Sequence, residues 1–248
     1  MQDLEGKKAL ITGASSGIGK SSAFKLAENG VDVALASRTR EKLEDIADEI
    51  EDEYDVDTFV RPTDVTDEVQ VEEMVEETVE EFGQLDIVLN NAGLAMTGEI
   101  DGMPTEHYRK TMDVNVDGMF FTARAAIPHL KESEGNIIFI GSIAGKYPRG
   151  GNPLYAATKW WTRGFALSLS SQIGDEDVAV SVINPSEVRT RFNEEEGEAF
   201  EETFEKGEVT EPEDIAESVV YAARQEERNN AAEIDLYRRD KLGDMSLK

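Results

Sequence analysis

The chain has 248 residues, 39% hydrophobic and 7% aromatic, with 20 glycines and 7 prolines, enough for a substantial core and unlike a disordered, collagen-like or mini-protein composition. Its 53 acidic against 25 basic residues leave a formal charge of -28, which speaks against nucleic acid and anionic membrane surfaces as partners, since both are bound by Lys and Arg. Cysteine is absent, so disulfides, thiolate metal sites and a cysteine nucleophile are excluded.

Short apolar runs alternate with helical patterns, the order expected of βαβ units around a parallel sheet. KKALIT (7–12) reads as the first strand, followed by a glycine turn and a helix over 17–29 that stops at Asn29-Gly30. VDVALAS (31–37) is the second strand, and Leu43, Ile46, Ala47 and Ile50 after it fall at helical spacing, with acid on the opposite face. TFVRPTDV (58–65) supplies a third strand, and Val71, Met74, Val75, Thr78, Val79 and Phe82 stripe the next helix. LDIVLNN (85–91) is the fourth strand, a long helix is predicted over 105–131, and NIIFIGS (136–142) is the fifth strand. A helix over 153–173, a strand at 178–184, a helix opening at Thr210-Glu-Pro-Glu213 with capping-box spacing, and a last strand at 233–237 complete the order. No linker or repeat divides the chain, so one domain over 1–248 is expected, with the poorly apolar 186–209 stretch as a substrate lid.

The two histidines, His107 and His129, form no ligand cluster, so no metal site is expected. The first residues are polar and lead into a strand, and no apolar run reaches membrane length, so the protein is expected to be cytoplasmic.

Thr12 to Gly19 (TGASSGIG) lies between a strand and a helix, where free N–H groups, the helix dipole and glycines favour a phosphate. The same stretch, Ala14 to Ser21, nearly matches a nucleoside-triphosphate loop, although Ala14 replaces its first glycine and LDIVLNN and NIIFIGS end in Asn and Gly-Ser where an Asp would hold magnesium. The second strand ends in Ser37-Arg38 with no acid at 36–38 for a ribose hydroxyl; with Arg38 and Arg40 available for a 2′-phosphate, NADP(H) is favoured over NAD(H).

Ser142 ends the fifth strand, and Tyr155 and Lys159 stand one helical turn apart. Hydride addition to a carbonyl builds charge on oxygen, and a phenol becomes a useful proton donor when a neighbouring cation steadies the phenolate. Ser142 can hold the same oxygen by a hydrogen bond. Tyr147, Leu154 and Met96 offer an apolar face for a substrate.

In order, the chain carries TGxxxGxG at Thr12 to Gly19, Asp64-Val65, NNAG at Asn90 to Gly93, Asn115 within the long helix, Ser142, YxxxK at Tyr155 to Lys159, and PxxVxT at Pro185 to Thr190. This series resembles the short-chain dehydrogenase/reductase family over nearly the whole chain. The resemblance implies a three-layer Rossmann-type α/β fold with a seven-stranded parallel sheet, NAD(P)-dependent oxidoreduction of a small carbonyl or alcohol, and a homodimer or homotetramer built on two long helices. It implies Tyr155 as acid/base, Lys159 as ribose ligand and pKa modulator, Ser142 as substrate polariser, and Asn115 holding a water in a proton relay. It places the cofactor on Gly13, Ser15, Ser16, Gly17, Ile18, Gly19, Arg38, Asp64, Val65, Asn91, Ala92, Gly93, Pro185, Val188 and Thr190, besides Tyr155 and Lys159. Pro185 is followed by Ser186 instead of the frequent Gly, Ser16 stands where NADP-dependent relatives often carry a base, and the C-terminal EIDLYRRDKLGDMSLK lacks a glycine-rich ending. Two alternatives stay open: a 3-oxoacyl-carrier-protein reductase, which the acidic 192–208 segment disfavours by repelling an acidic carrier, and a non-catalytic dinucleotide-binding sensor.

The acid is spread along the chain as a coat, as in proteins of salt-accumulating cells. Self-repulsion in such a coat is screened once the Debye length falls to about 3 Å in molar salt. Stability to urea is therefore expected to rise with KCl concentration; a midpoint that stays level or falls between low and molar KCl would remove the halophilic reading.

Overall fold

The computed structural model describes residues 1–192, 199–225 and 229–239. Seven short runs form strands: β1 Lys8–Thr12, β2 Asp32–Ser37, β3 Thr58–Pro62, β4 Ile87–Asn90, β5 Asn136–Ile140, β6 Ala179–Pro185 and β7 Glu233–Leu236. They pair in parallel in the order β3-β2-β1-β4-β5-β6-β7. Helices cover both faces of this sheet, which is why the central strands are apolar without alternation. Successive residues point to opposite faces: Ile11 and Leu35 join a core with Leu26 and Leu43, whereas Leu10 and Ala34 join one with Met74, Phe139 and Leu169. This is the expected three-layer Rossmann-type fold.

Helices α1 Gly17–Ala27, α2 Arg40–Glu53 and α8 Pro212–Ala223 back the first core. The other face carries α3 Glu68–Phe82, α5 Met119–Ser133 and α6 Pro153–Ile173. In α2 the buried residues are Leu43, Ile46, Ala47 and Ile50, the spacing read from the sequence, and Glu44, Asp45, Asp48 and Glu49 face solvent. The Asp67 side chain caps α3 by accepting from the Val69 and Gln70 N–H groups.

Some boundaries differ from expectation. The helix predicted over 105–131 is broken into α4 Thr105–Met112 and α5 by a π-helical turn, Asp113–Gly118. The turn holds Asn115, whose side chain is fully buried and bonded away from the helix. The capping box of α8 lies one residue later than read: Glu211 is the cap, and its N–H donates to Asp214 Oδ2 at 3.0 Å. Thr210 is engaged elsewhere, bridging to Val188 and accepting from the Arg189 N–H at 2.9 Å. A four-residue helix, α7 Phe200–Thr203, follows the stretch 193–198. That stretch, within the anticipated lid, and the C-terminal residues 240–248 lie outside the described residues. Among the described residues no helix is long and apolar enough to cross a membrane.

Edge strand β7 is fastened to the sheet's neighbours by charge. The Arg163 guanidinium of α6 grips Glu233 at 2.6 and 3.1 Å, and Lys146 reaches Asp235 at 2.5 Å.

Candidate active site

In an open parallel sheet a crevice forms where strand order reverses, beyond the carboxyl ends of the strands. Here that point is between β1 and β4. The two loops leaving these strands are clasped together. Thr12 Oγ1 accepts from the Asn91 and Ala92 N–H groups at 3.0 and 3.1 Å, and Asn91 Nδ2 donates to Thr12 O at 2.8 Å. Asn90 Nδ2 donates to Met119 O at 2.8 Å, tying β4 to α5. The polar NNAG run is thus explained locally: its side chains satisfy backbone groups that the diverging loops would otherwise leave unpaired.

Above this clasp opens a cleft of about 890 Å³. From the expected set, Gly13, Ser15, Ser16, Gly17, Ile18, Arg38, Asp64, Val65, Asn91, Ala92, Gly93, Ser142, Tyr155, Lys159, Pro185, Val188 and Thr190 all line it. Gly19 lies beneath, where a Cβ would collide with the Gly13 carbonyl; Gly13 itself takes φ +68°. Asn115 is also one layer back. Asp64 lines the cleft with Oδ1 already accepting from Thr66 N and Oγ1.

The residues fit a dinucleotide. Ser16 precedes α1 in extended conformation with no side chain capping the helix, so the first N–H groups of α1 are free beside the glycine turn. At the β2 end, Ser37 Oγ is buried without a partner, and exposed Arg38 stands beside it with no carboxylate in ion-pair range among the described residues. Arg40, the other expected cation, instead pairs with Glu44 and does not line the cleft. Lys42, which the sequence reading missed, does line it; first-turn position on the helix after β2 was the available signal.

The opposite end gathers the chemical groups. Ser142 caps a short 3-10 turn, its Oγ accepting from Ala144 N–H at 3.1 Å. Gly145, at the end of that turn, lies against the Lys159 carbonyl so closely that a Cβ would collide, which seats α6 against the β5 loop. The Tyr155 phenol is pushed up to about 12 by burial, with Ser142 and Arg149 pulling it down by less. Lys159 is 3% exposed and burial brings its ammonium down to about 8. Its Nζ donates to Ile140 O at 2.9 Å and lies 5.7 Å from the Tyr155 ring centroid. The lysine is therefore anchored on the β5 backbone, not bonded to the phenol, with its charge against the ring face. Asn115 Oδ1 accepts from Leu94 N–H at 2.9 Å, and its Nδ2 donates to Leu94 O at 2.8 Å and Thr158 Oγ1 at 3.1 Å. Its side chain fixes the Leu94 loop against α6.

The apolar wall is not the expected one. Tyr147, Leu154 and Met96 do not line the cleft; Leu154 and Met96 are buried and Tyr147 is exposed. Phe192 and Phe200 form it instead, with the Phe192 ring 5.6 Å from Tyr155 and 6.2 Å from Phe200. They lie in the stretch read as poorly apolar, where acidic neighbours mask them. Trp161 packs flat on Phe165, whereas Trp160 is exposed.

Residues 7–200 match the short chain dehydrogenase family. The chain belongs to that family. An oxidoreductase of Staphylococcus aureus is 36% identical over 235 residues, spanning 94% of this chain and 98% of that one. An alcohol dehydrogenase from Thermococcus sibiricus complexed with 5-hydroxy-NADP superposes with TM-score 0.86 at 29% identity, covering 93% of this chain and 96% of that one. A 3-ketoacyl-(acyl-carrier-protein) reductase from Brucella melitensis complexed with NADH superposes with TM-score 0.83 at 28% identity, covering 94% and 98%. This short-chain dehydrogenase is accordingly a dehydrogenase/reductase, and the sensor alternative falls away.

The buried lysine of this dehydrogenase has a measurable consequence. Above about pH 8 the folded chain releases the Lys159 proton that the unfolded chain keeps to 10.5, so the unfolded state binds more protons and stability rises with pH. Tyr155, whose proton is held longer in the folded state, opposes this only above pH 10. Lys159 should contribute a gain of about 2 kcal/mol between roughly pH 7.5 and 9.5. Urea unfolding at both ends of that window should show the gain in the wild type and its loss in Lys159→Met; equal slopes would refute the assignment.

Proposed function

We propose that this short-chain dehydrogenase reduces small carbonyl compounds, and oxidises the corresponding alcohols, with NADP(H) in preference to NAD(H). The observation that carries this reading is the convergence of Ser142, Tyr155 and Lys159 at one end of a cleft whose other end is a glycine cradle flanked by Arg38. The cofactor, when bound, supplies or accepts the hydride. Gly13 to Ile18 and the α1 N-terminus would hold its phosphates, Asp64 and Val65 its adenine end, Ala92 and Gly93 a ribose, and Val188 and Thr190 the nicotinamide end. Ser37, Arg38 and Lys42 would take a 2′-phosphate.

Tyr155 keeps its proton at neutral pH. As charge builds on the carbonyl oxygen, that oxygen becomes more basic than phenolate and takes the proton. Ser142 steers the same oxygen by its hydroxyl. Lys159, mostly charged at neutral pH, balances the phenolate left behind, and Asn115 holds the loop and helix that frame it. Exposed Phe120 and Trp160 on α5 and α6 support a dimer or tetramer through these helices, and the acidic coat supports work in a salt-rich cytosol. The likeness to the Brucella reductase favours a carrier-protein substrate as second reading, against which stands the repulsion between the acidic 192–208 segment and an acidic carrier.

Replacing Tyr155 by Phe removes the proton and leaves the cleft. Turnover over a panel of aldehydes and ketones should fall by about 10²–10⁴-fold, with NADPH binding retained; residual activity near wild type would overturn the proposal. Arg38→Ala should weaken NADPH by roughly 10-fold or more, the value of a charge-assisted contact, while leaving NADH affinity close to wild type. Equal loss of both would deny Arg38 its role in cofactor choice.

A further inference from the structure

The cleft carries charge of the opposite sign to the molecule. Arg38, Lys42, Arg149, Lys159 and Arg191 line it against Asp64 and Glu187, in a chain with a net charge of -28. A low-dielectric groove focuses such a local field and draws in anions. Arg38 and Lys42, beyond β2, answer to the cofactor, Lys159 to Tyr155, and Arg191 pairs with Glu201 at 3.4 Å. Arg149 is left over.

Arg149 is half-buried in the β5–α6 loop, lines the cleft on the Tyr155 side, and has no carboxylate in ion-pair range among the described residues. In a chain with twice as many acids as bases most cations outside the cleft find acidic partners, as Lys20, Lys25, Arg61, Arg124, Lys146 and Arg163 do. It is also far from the 2′-phosphate end. Strands β2 and β5 are separated by β1 and β4, so their ends stand about 14 Å apart at a strand spacing of about 4.8 Å. Its neighbours Gly150 and Gly151 also line the cleft and have open space where a Cβ would be, so no side chain crowds this part of the loop.

We propose that Arg149 binds a carboxylate of the substrate, and that the substrates of this dehydrogenase are short oxo acids and the hydroxy acids they are reduced to. The proposal rests on the reductase reading above. Tyr155 and Ser142 take the reacting oxygen, Phe192 and Phe200 cover the carbon chain, and the Arg149 fork holds the carboxylate, which gives bidentate geometry as well as charge. A partly desolvated guanidinium facing an uncharged group would have nothing to replace its lost water, so a neutral analogue is bound less well.

The test compares a 2-oxo and a 3-oxo acid of four to six carbons with their methyl esters, for the wild type, Arg149→Met and Arg149→Lys, with NADPH binding as the check that each variant is folded. The wild type is expected to prefer at least one acid over its ester by about 10–100-fold in kcat/KM. That preference should collapse toward unity in Arg149→Met and recover in part in Arg149→Lys. Arg149 also biases the Tyr155 phenol, but any such effect acts on acid and ester alike and cancels in the ratio. A wild-type ratio near one, or a ratio untouched by Arg149→Met, overturns the carboxylate assignment while ester turnover leaves the reductase reading standing. No turnover of acids, esters or simple ketones by NADPH-loaded enzyme overturns both.

Discussion

The site depends on a clasp between two strand ends. Where β1 and β4 part, no crossover covers the loops, and their backbone groups must be satisfied by side chains or by water. Thr12 and Asn91 do this reciprocally, hydroxyl to two N–H groups and amide to the Thr12 carbonyl. Because the loops are fixed to each other, the glycine turn before α1 has a rigid floor, and Gly19 can sit against Gly13 where any side chain would force them apart. Asn115 repeats the device further along the loop after β4, holding Leu94 by both its backbone groups. Several residues that look like ligand contacts in the sequence are first of all cross-braces.

On that floor the phenol and the amine are placed by burial as much as by each other. Tyr155 and Lys159 are both pushed toward their neutral forms, by desolvation in each case. The lysine stays because the Ile140 carbonyl accepts one of its protons, leaving other donors of the ammonium for groups in the cleft. Such an arrangement keeps a proton on the tyrosine until a stronger base appears, which suits an acid acting on an incipient alkoxide. It also makes α6 and the end of β5 one unit, since Lys159 touches both and Gly145 lets their backbones meet.

Much of this was legible in the sequence. Parallel strands buried on both faces are continuous apolar runs, and Leu43, Ile46, Ala47 and Ile50 announce the inner face of α2 by spacing alone. The cradle and the Ser142, Tyr155, Lys159 set were legible as motifs, because their positions are fixed by short local geometry: a strand end, a turn, one helical turn. What escaped depends on long-range placement. The π-helical turn at Asp113–Gly118 follows from Asn115 finding partners on another loop, and the cap of α8 moved to Glu211 because Thr210 is used by Val188 and Arg189. Local rules do not see such competition. The apolar wall was misassigned for the same reason: Met96 and Leu154 are buried away from the cleft, while Phe192, set among acids, lies against Tyr155 and Phe200 against Phe192.

The acidic surface and the basic cleft belong to one electrostatic design. A coat carrying -28 would hold an anionic ligand off at low ionic strength, and its reach falls to within a few ångström as salt screens exposed charge. Charges set in a groove and partly desolvated are screened far less. Raising salt therefore removes the repulsion at distance before it weakens the attraction at the site. Outside the cleft many cations are held by carboxylates, as Arg61 of β3 is by Glu73 and Glu77 and Arg124 of α5 by Glu68 and Glu72, so they add little outward field. Those lining the cleft at Arg38, Lys42, Arg149 and Lys159 have no such partner among the described residues. Most of the cations outside the cleft are thus neutralised, while Arg38, Lys42, Arg149 and Lys159 are left for a phosphate, a carboxylate or a phenolate to complete, and the excess of acid over base makes that distribution the more selective.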